Sequence, residues 1–264
     1  MTRQYLGSLL CGLAWALALF SCFPAFAVPI NYGNFAGTNV SFLNVTEDSA
    51  TDPTPLFGPP AVSGDGLSFS PLSSFSASST GGGADITDGK LNTTIVTNNP
   101  ATGALTSLVV GERGDFTLAG VGTAATTTSV SAPVFLTLDE VNGAPITPVV
   151  IFSGNLVFTP SGGSYNLVSD AGVGVTWTGS LTVDLVQALS LHGIWGNATK
   201  IEYAMDNSLV ATSEAGSIAF IAKKSALVTL LQVTTVPVPE PSTVVLLGTG
   251  AVGLAVVRLR RRRR

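Results

Sequence analysis

The sequence has few of the residues that carry enzyme chemistry. Its 264 residues include two cysteines, Cys11 and Cys22, and a single histidine, His192. Both cysteines lie in an apolar N-terminal stretch, so the chain beyond it has no disulfide, thiol nucleophile or thiolate metal site. A catalytic triad would need His192, yet the chain contains no Gly-x-Ser-x-Gly elbow, phosphate-binding loop or dinucleotide fingerprint. A zinc site takes three or four His, Cys or carboxylate ligands. We therefore predict no catalytic residue, no metal ion and no cofactor.

Charge is also scarce, and it is unevenly placed. Charged residues make up 11% of the chain, against about 25% in an ordinary soluble domain. Six of the twelve basic residues lie at the C-terminal end: Arg258, Arg260, Arg261, Arg262, Arg263 and Arg264. Residues 28–238 carry five basic and fifteen acidic residues, a net charge of −10. An acidic body of this kind repels nucleic acid, which we exclude as a partner.

Residues 1–27 have the pattern of a secretory signal peptide. Arg3 supplies the positive start, and a nearly unbroken apolar run follows from Leu6 to Phe23. Ala25 and Ala27 then place small residues at the two positions that a signal peptidase reads. The pattern predicts cleavage after Ala27 and export of the rest of the chain. An uncleaved membrane helix and a lipoprotein signal ending at Cys22 are the alternatives.

Residues 28–235 predict a β-rich secreted domain. Short alternating runs such as Val40–Val45, Leu91–Val96 and Val134–Leu138 are rich in β-branched and aromatic residues, which favours strands. Asp-Gly, Asn-Gly and Gly-Gly turns separate them. The fold class we predict is all-β, an antiparallel β-sandwich or barrel-like ectodomain. Residues 184–191 predict a short helix, and residues 47–83 predict long surface loops or an irregular edge.

Three further hypotheses rest on weaker patterns in this domain. Asp85 and Asp88 place carboxylates close together in sequence, as calcium loops do, but without the full loop spacing. Trp177 and Trp195 are candidate platforms for sugar rings, although a tryptophan in a sandwich usually belongs to the core. A carboxylate pair for glycoside hydrolysis is compatible with the many acids, but no spacing singles out a pair.

Residues 236–264 combine three features in a fixed order. A proline-framed glutamate, Pro239-Glu240-Pro241, is followed by sixteen uncharged residues from Ser242 to Val257 and then by the arginines of residues 258–264. As a helix, sixteen residues span about 24 Å, slightly less than the roughly 30 Å of a hydrocarbon core. Arginine side chains reach outward and extend the span. The pattern predicts a transmembrane helix over about 242–257 and a stop-transfer signal at Arg258 and Arg260 to Arg264.

This tail resembles the PEP-CTERM sorting signal, in which the same three parts stand in the same order at the C-terminal end. The resemblance implies that Pro239, Glu240 and Pro241 are the recognition motif of an exosortase, a membrane-embedded protease or transpeptidase of Gram-negative bacteria. It further implies cleavage near the motif, transient anchoring in the membrane, and delivery to the cell surface or extracellular matrix. Hosts of the family commonly make exopolysaccharide, the material of biofilms. The domains that precede the signal vary widely among family members. The resemblance therefore implies a destination for the chain and no activity.

The leading hypothesis is a non-enzymatic exported surface or matrix protein that an exosortase sorts. The second is a polysaccharide-binding β-sandwich module of the exopolysaccharide matrix. The third is a secreted glycan-active hydrolase. The expected partners are the exosortase, the signal peptidase, the membrane through the C-terminal helix, and an extracellular polysaccharide.

Overall fold

The computed structural model describes residues 29–224, and residues 229–237 at the level of the backbone. Four predicted features lie outside the described residues: the signal peptide with Ala25 and Ala27, the recognition motif Pro239 to Pro241, the predicted transmembrane helix of 242–257 and the arginine tail. Within those residues, no helix combines the length and the apolar character that a membrane crossing requires.

The described residues consist mainly of antiparallel β-strands, as the alternating runs predict. The strands are β1 (Ile30–Ala36), β2 (Val40–Asp48), β3 (Ala61–Ser63), β4 (Gly66–Phe69), β5 (Ser76–Thr80), β6 (Gly83–Thr97), β7 (Gly103–Gly120), β8 (Thr127–Ser131), β9 (Pro133–Val141), β10 (Ala144–Asn155), β11 (Val157–Thr159), β12 (Ser164–Asn166), β13 (Gly172–Asp184), β14 (Ala198–Ser213), β15 (Ser217–Lys223) and β16 (Thr229–Pro237).

Two long strands organise this sheet. β14 pairs with β6 on one side and with β9 and β8 on the other; β2 and β1 extend beyond β6, and β10 and β12 pair with β9 and β8. We call this set the β14 half. β7 pairs with β13 on one side and with β15 and β16 on the other, and β11, β5, β4 and β3 continue outward. We call this set the β7 half.

The sheet is curled into a half-barrel, and the inner surfaces of its halves face each other across the core. A bridge between Ala198 and Leu105 joins the two halves. Phe116 of the β7 half stacks on Tyr165 of the β14 half at 4.0 Å between ring centroids. Buried residues alternate with less buried ones along β6, β7 and β14, which is the period of two that a half-buried strand requires.

The helices in the described part of the chain are short, and one of them falls where the sequence predicts it. Helix α1 spans Leu167–Asp170, and helix α2 spans Leu185–Leu191. Asp184 caps α2 by accepting a hydrogen bond from the backbone N–H of Gln187 at 2.9 Å. A 3-10 turn covers Ser161–Gly163.

The prediction of long surface loops or an irregular edge over residues 47–83 is partly correct. The stretch from Ala50 to Pro60 has no helix or strand, but the serine-rich stretch after it contains β5 at the edge of the β7 half. Phe57 and Phe75 are fully buried. The buried carboxylate of Glu47 accepts hydrogen bonds from the backbone N–H groups of Leu56 and Phe57. Proline and serine content suggested a surface loop, yet these contacts fasten the segment to the core.

Candidate functional site

A shallow groove of about 350 Å³ lies on the outer face of the β14 half. Strands β2, β6, β14 and β9 run side by side beneath it. Its lining consists mainly of uncharged polar residues: Asn44, Thr46, Asn92, Thr93, Thr94, Phe135, Thr137, Glu202, Tyr203 and Ala204.

Strand register places seven of these residues in two rows across the sheet. Thr46 lies opposite Asn92, which lies opposite Ala204, and Ala204 pairs in turn with Phe135. The second row runs from Thr94 through Glu202 to Thr137. Because successive side chains of a strand point to opposite faces, residues two apart share the outer face.

A β-bulge shapes one wall of the groove. Between Leu43 and Thr46, β2 has one residue more than its partner β6. Asn44 lies in this bulge and has a φ of 51°. The backbone N–H of Asn44 donates to the side chain of Asn34 on β1 at 2.8 Å. Bulges bend their strand and increase the local twist of a sheet, and this one positions the lining residues Asn44 and Thr46.

The groove offers hydrogen-bonding groups and one apolar surface. Phe135 is 44% exposed, so its ring gives the groove an apolar surface. Polar residues of the outer face line the groove with it: Asn44, Thr46, Asn92, Thr94, Thr137 and Glu202. Such a surface suits a flat ligand that is rich in hydroxyl groups, with apolar contact to the ring and hydrogen bonds around it.

Charged clusters flank the groove along the strands. Toward one end, the amine of Lys200 lies 3.6 Å from Asp139 and 3.9 Å from Glu140. Toward the other end, β6 and β14 bring Asp88 beside Asp206. Partial burial and the hydrogen bond with Asp206 raise the pKa of Asp88 to about 6. The negative charge on both flanks disfavours an anionic ligand.

The residues that the sequence singled out do not meet at this groove. Trp177 is fully buried and packs edge-on against Phe158 at 5.8 Å. It therefore belongs to the core, and its interpretation as a sugar platform is wrong. Trp195 is 85% exposed in the turn before β14 and is not among the groove residues. His192 is an exposed residue that caps the C-terminus of α2.

The calcium-loop interpretation of Asp85 and Asp88 is not supported by their positions. Both residues lie in the extended strand β6, three residues apart, which places their side chains on opposite faces. Asp85 accepts a hydrogen bond from the backbone N–H of Ser78 at 2.7 Å. Across the described ranges, no cluster of three or more His, Cys, Asp or Glu side chains is arranged to hold a metal ion.

Sequence reasoning missed the groove residues themselves. One signal was available, because Phe135 occupies the outward position in the alternation of Val134–Leu138, where a polar residue is usual. Asn92 and Glu202 carry no such signal, since polar residues at outward positions are ordinary. Only the pairing of four strands brings them together.

Solved structures that resemble the chain do so weakly. TmCBM61 in complex with β-1,4-galactotriose is 11% identical, with a TM-score of 0.22, over 67% of this chain and 90% of its own. The endoglucanase 3 of Trichoderma harzianum, from family GH12, is 8% identical, with a TM-score of 0.22, over 80% of this chain and all of its own. The VP2 subviral particle of infectious bursal disease virus is 13% identical, with a TM-score of 0.25, over 77% of this chain and 52% of its own. TM-scores this low do not establish a common fold or a common site.

The tail gives a clear result. No curated protein matches the chain in sequence. The family model of the PEP-CTERM protein-sorting motif matches residues 237–263, the segment in which the glutamate between two prolines, the apolar run and the arginines follow one another. The resemblance stated from the sequence is thereby confirmed, and the chain is a PEP-CTERM domain-containing protein.

Proposed function

We propose that this chain is a non-enzymatic exported protein of the cell surface or extracellular matrix, sorted by an exosortase. The observation that carries the proposal is the sorting motif over residues 237–263. In this proposal Pro239, Glu240 and Pro241 are recognised, the apolar run holds the motif in the membrane, and the arginines stop transfer. A signal peptidase removes residues 1–27, and the acidic β-rich body ends outside the inner membrane.

Substitution of the motif tests this proposal in the native host. Replacing Pro239, Glu240 and Pro241 with alanine should leave the chain in the membrane fraction, since the exosortase no longer recognises it. The matched control replaces the adjacent Ser242 and Thr243 with alanine and should be sorted normally. Cell fractionation and mass spectrometry of the mature C-terminus provide the readout. Surface delivery and C-terminal processing that remain unchanged in the motif variant would refute the proposal.

The groove favours one second function, the binding of an uncharged polysaccharide. Supporting observations are its concave shape, the exposed ring of Phe135 and the surrounding amides and hydroxyls. The acidic flanks and the net charge of −10 over residues 28–238 argue for a neutral rather than an anionic chain. Glu202 is the single carboxylate among the groove residues, whereas glycoside hydrolysis ordinarily uses two. This supports binding over hydrolysis at the groove.

Affinity electrophoresis in gels that contain neutral polysaccharides tests the second function. Phe135→Ala should weaken binding at least about tenfold, because it removes the apolar platform of the groove. Trp195→Ala removes an exposed aromatic ring outside the groove and is the matched control, so it should bind like the unmodified protein. Loss of binding with Trp195→Ala alone, or equal binding by both variants, would exclude the groove as the site.

A further inference from the structure

Three polar side chains meet at a single atom in the core of the β domain. Glu112 of β7, Asn207 of β14 and Lys223 of β15 are 3%, 0% and 2% exposed. The amine nitrogen of Lys223 lies 2.5 Å from Oε1 of Glu112, and the amide nitrogen of Asn207 donates to that same oxygen at 2.7 Å. Oε1 of Glu112 therefore lies between the Lys223 amine and the Asn207 amide and contacts both nitrogens.

Aromatic rings and burial isolate this cluster from water. The amine of Lys223 lies 4.7 Å from the ring centroid of Phe75 and 5.1 Å from that of Phe57. Burial lowers the pKa of Lys223 to about 8, even though Glu112 favours the charged amine. The neutral amine, which is the nucleophilic form, is thus easier to reach at Lys223 than at an exposed lysine.

As a permanent ion pair the cluster is poorly satisfied. Within the described part of the chain, Oε2 of Glu112, Oδ1 of Asn207 and Nε1 of Trp177 are buried without a hydrogen-bond partner. Each buried polar atom without a partner costs free energy, and burial of two charges costs more than their attraction readily returns. A hydrophobic pair of similar volume would serve stability at least as well. Stability alone therefore does not explain why these three polar side chains are buried together.

We propose that Lys223 and Asn207 join in an intramolecular amide bond, formed without another protein, with Glu112 carrying the protons. The neutral amine attacks Cγ of Asn207 and forms a C–N bond. Glu112 accepts a proton from the attacking nitrogen and gives one to the Asn207 amide nitrogen. The bond from Cγ to that nitrogen breaks, and it leaves as ammonia. No oxidant, reductant or external group is consumed.

The product removes the unfavourable features of the reactants. The cross-link is a neutral amide, and Glu112 keeps the proton that it took from the lysine, so no buried charge remains. Glu112 holds both nitrogens within hydrogen-bond distance of one oxygen in a buried site, and fixing the reacting groups with water excluded makes intramolecular reactions fast. The bond would tie β15 to β14 in an exported chain whose predicted mature form has no cysteine and hence no disulfide.

Peptide mass spectrometry of the full-length protein's mature form tests the proposal. After denaturation, trypsin should fail to cleave after Lys223 and should release residues 201–224 with a mass lower by one ammonia, about 17 Da. A glutamyl endopeptidase then cuts after Glu202 and Glu214. Residues 203–214 and 215–224 should remain linked, and Lys223 should resist amine-reactive reagents.

A different modification is excluded by the same digest. Cyclisation of Asn207 to a succinimide also loses ammonia, but it lets the two peptides separate and leaves Lys223 reactive. Peptides that separate in the wild-type digest, with or without loss of ammonia, would overturn the proposal.

Variants test the role of each group. Asn207→Asp should give a cross-linked peptide with the same mass as the cross-linked wild-type peptide. Loss of water from the aspartic acid and loss of ammonia from the asparagine yield the same amide. Lys223→Arg should abolish the link, and Lys224→Arg, which alters the exposed neighbouring lysine, should retain it. Glu112→Gln should abolish the link in folded protein, and a link that persists there would overturn the proton-carrying role. The digests of the wild-type protein and of Asn207→Asp show whether the cross-link exists, even if Glu112→Gln does not fold.

Discussion

At the residue scale, two tryptophans of the same domain lie in opposite environments. Trp177 is 0% exposed, while Trp195 is 85% exposed. Trp177 stands two residues after Val175 in an alternating strand, so its position in β13 was readable from the sequence. Which face of that strand is buried was not, because this depends on the β7 neighbours that pair with it.

The two tryptophans should therefore differ in their effect on stability. Trp177→Ala opens a large cavity between β13 and Phe158, and we expect it to lower the free energy of unfolding by about 3–5 kcal/mol. Trp195→Ala should change it by less than about 0.5 kcal/mol. Urea unfolding followed by circular dichroism measures both. Equal destabilisation by the two variants would contradict the burial of Trp177.

At the element scale, β7 passes its neighbours closely enough to require a glycine. A Cβ on Gly114 would lie 2.1 Å from the carbonyl oxygen of Ala222 on β15 and 2.3 Å from the ring of Trp177 on β13. Gly114 pairs with both of these strands, opposite Trp177 and Lys223. The missing side chain makes room for the indole beside the buried lysine.

Substitution along β7 separates this packing requirement from a general effect of glycine. Gly114→Ala should destabilise the domain by about 3 kcal/mol or more, because a strand backbone and a buried ring cannot both move away. Gly111→Ala is the matched control in the same strand, since its Cβ would meet only the oxygen of Gly179 at 4.0 Å. It should change stability by less than about 1 kcal/mol. The midpoints of urea unfolding provide the comparison.

At the scale of the whole molecule, excess negative charge makes folding stability depend on pH. Burial and the hydrogen bond with Asp206 raise the pKa of Asp88 from 3.8 to about 6 in the folded state. A raised pKa means that the fold holds the proton more tightly than the unfolded chain does. The contribution of this pair to the free energy of unfolding is therefore fully present below about pH 4, and it is lost as the pH rises through about 6.

Asp206→Asn removes the like charge and tests this dependence. At pH 7 the variant should exceed the unmodified protein in unfolding free energy by about 1 kcal/mol, a value reduced for solvent screening of these partly exposed groups. At pH 4 the difference should vanish, so the same variant is its own control. Urea titrations at pH 4, 5.5 and 7 measure it, and a gain that is constant with pH would contradict the coupling.

Alternation and turn residues were sufficient to predict a mainly β body, and the order of the proline-framed glutamate, the apolar run and the arginines was sufficient to identify the sorting motif. These features are local, since side-chain period, capping and motif order are set by neighbours in sequence. The groove around Phe135 and Glu202 and the cluster of Glu112, Asn207 and Lys223 are different. Each joins residues from strands distant in sequence, and strand pairing alone decides which of them meet. The sequence by itself thus determined the sorting motif and the β-rich character of the body, because both are set by neighbours along the chain, and the tertiary structure decided which distant residues form the groove and the buried polar cluster.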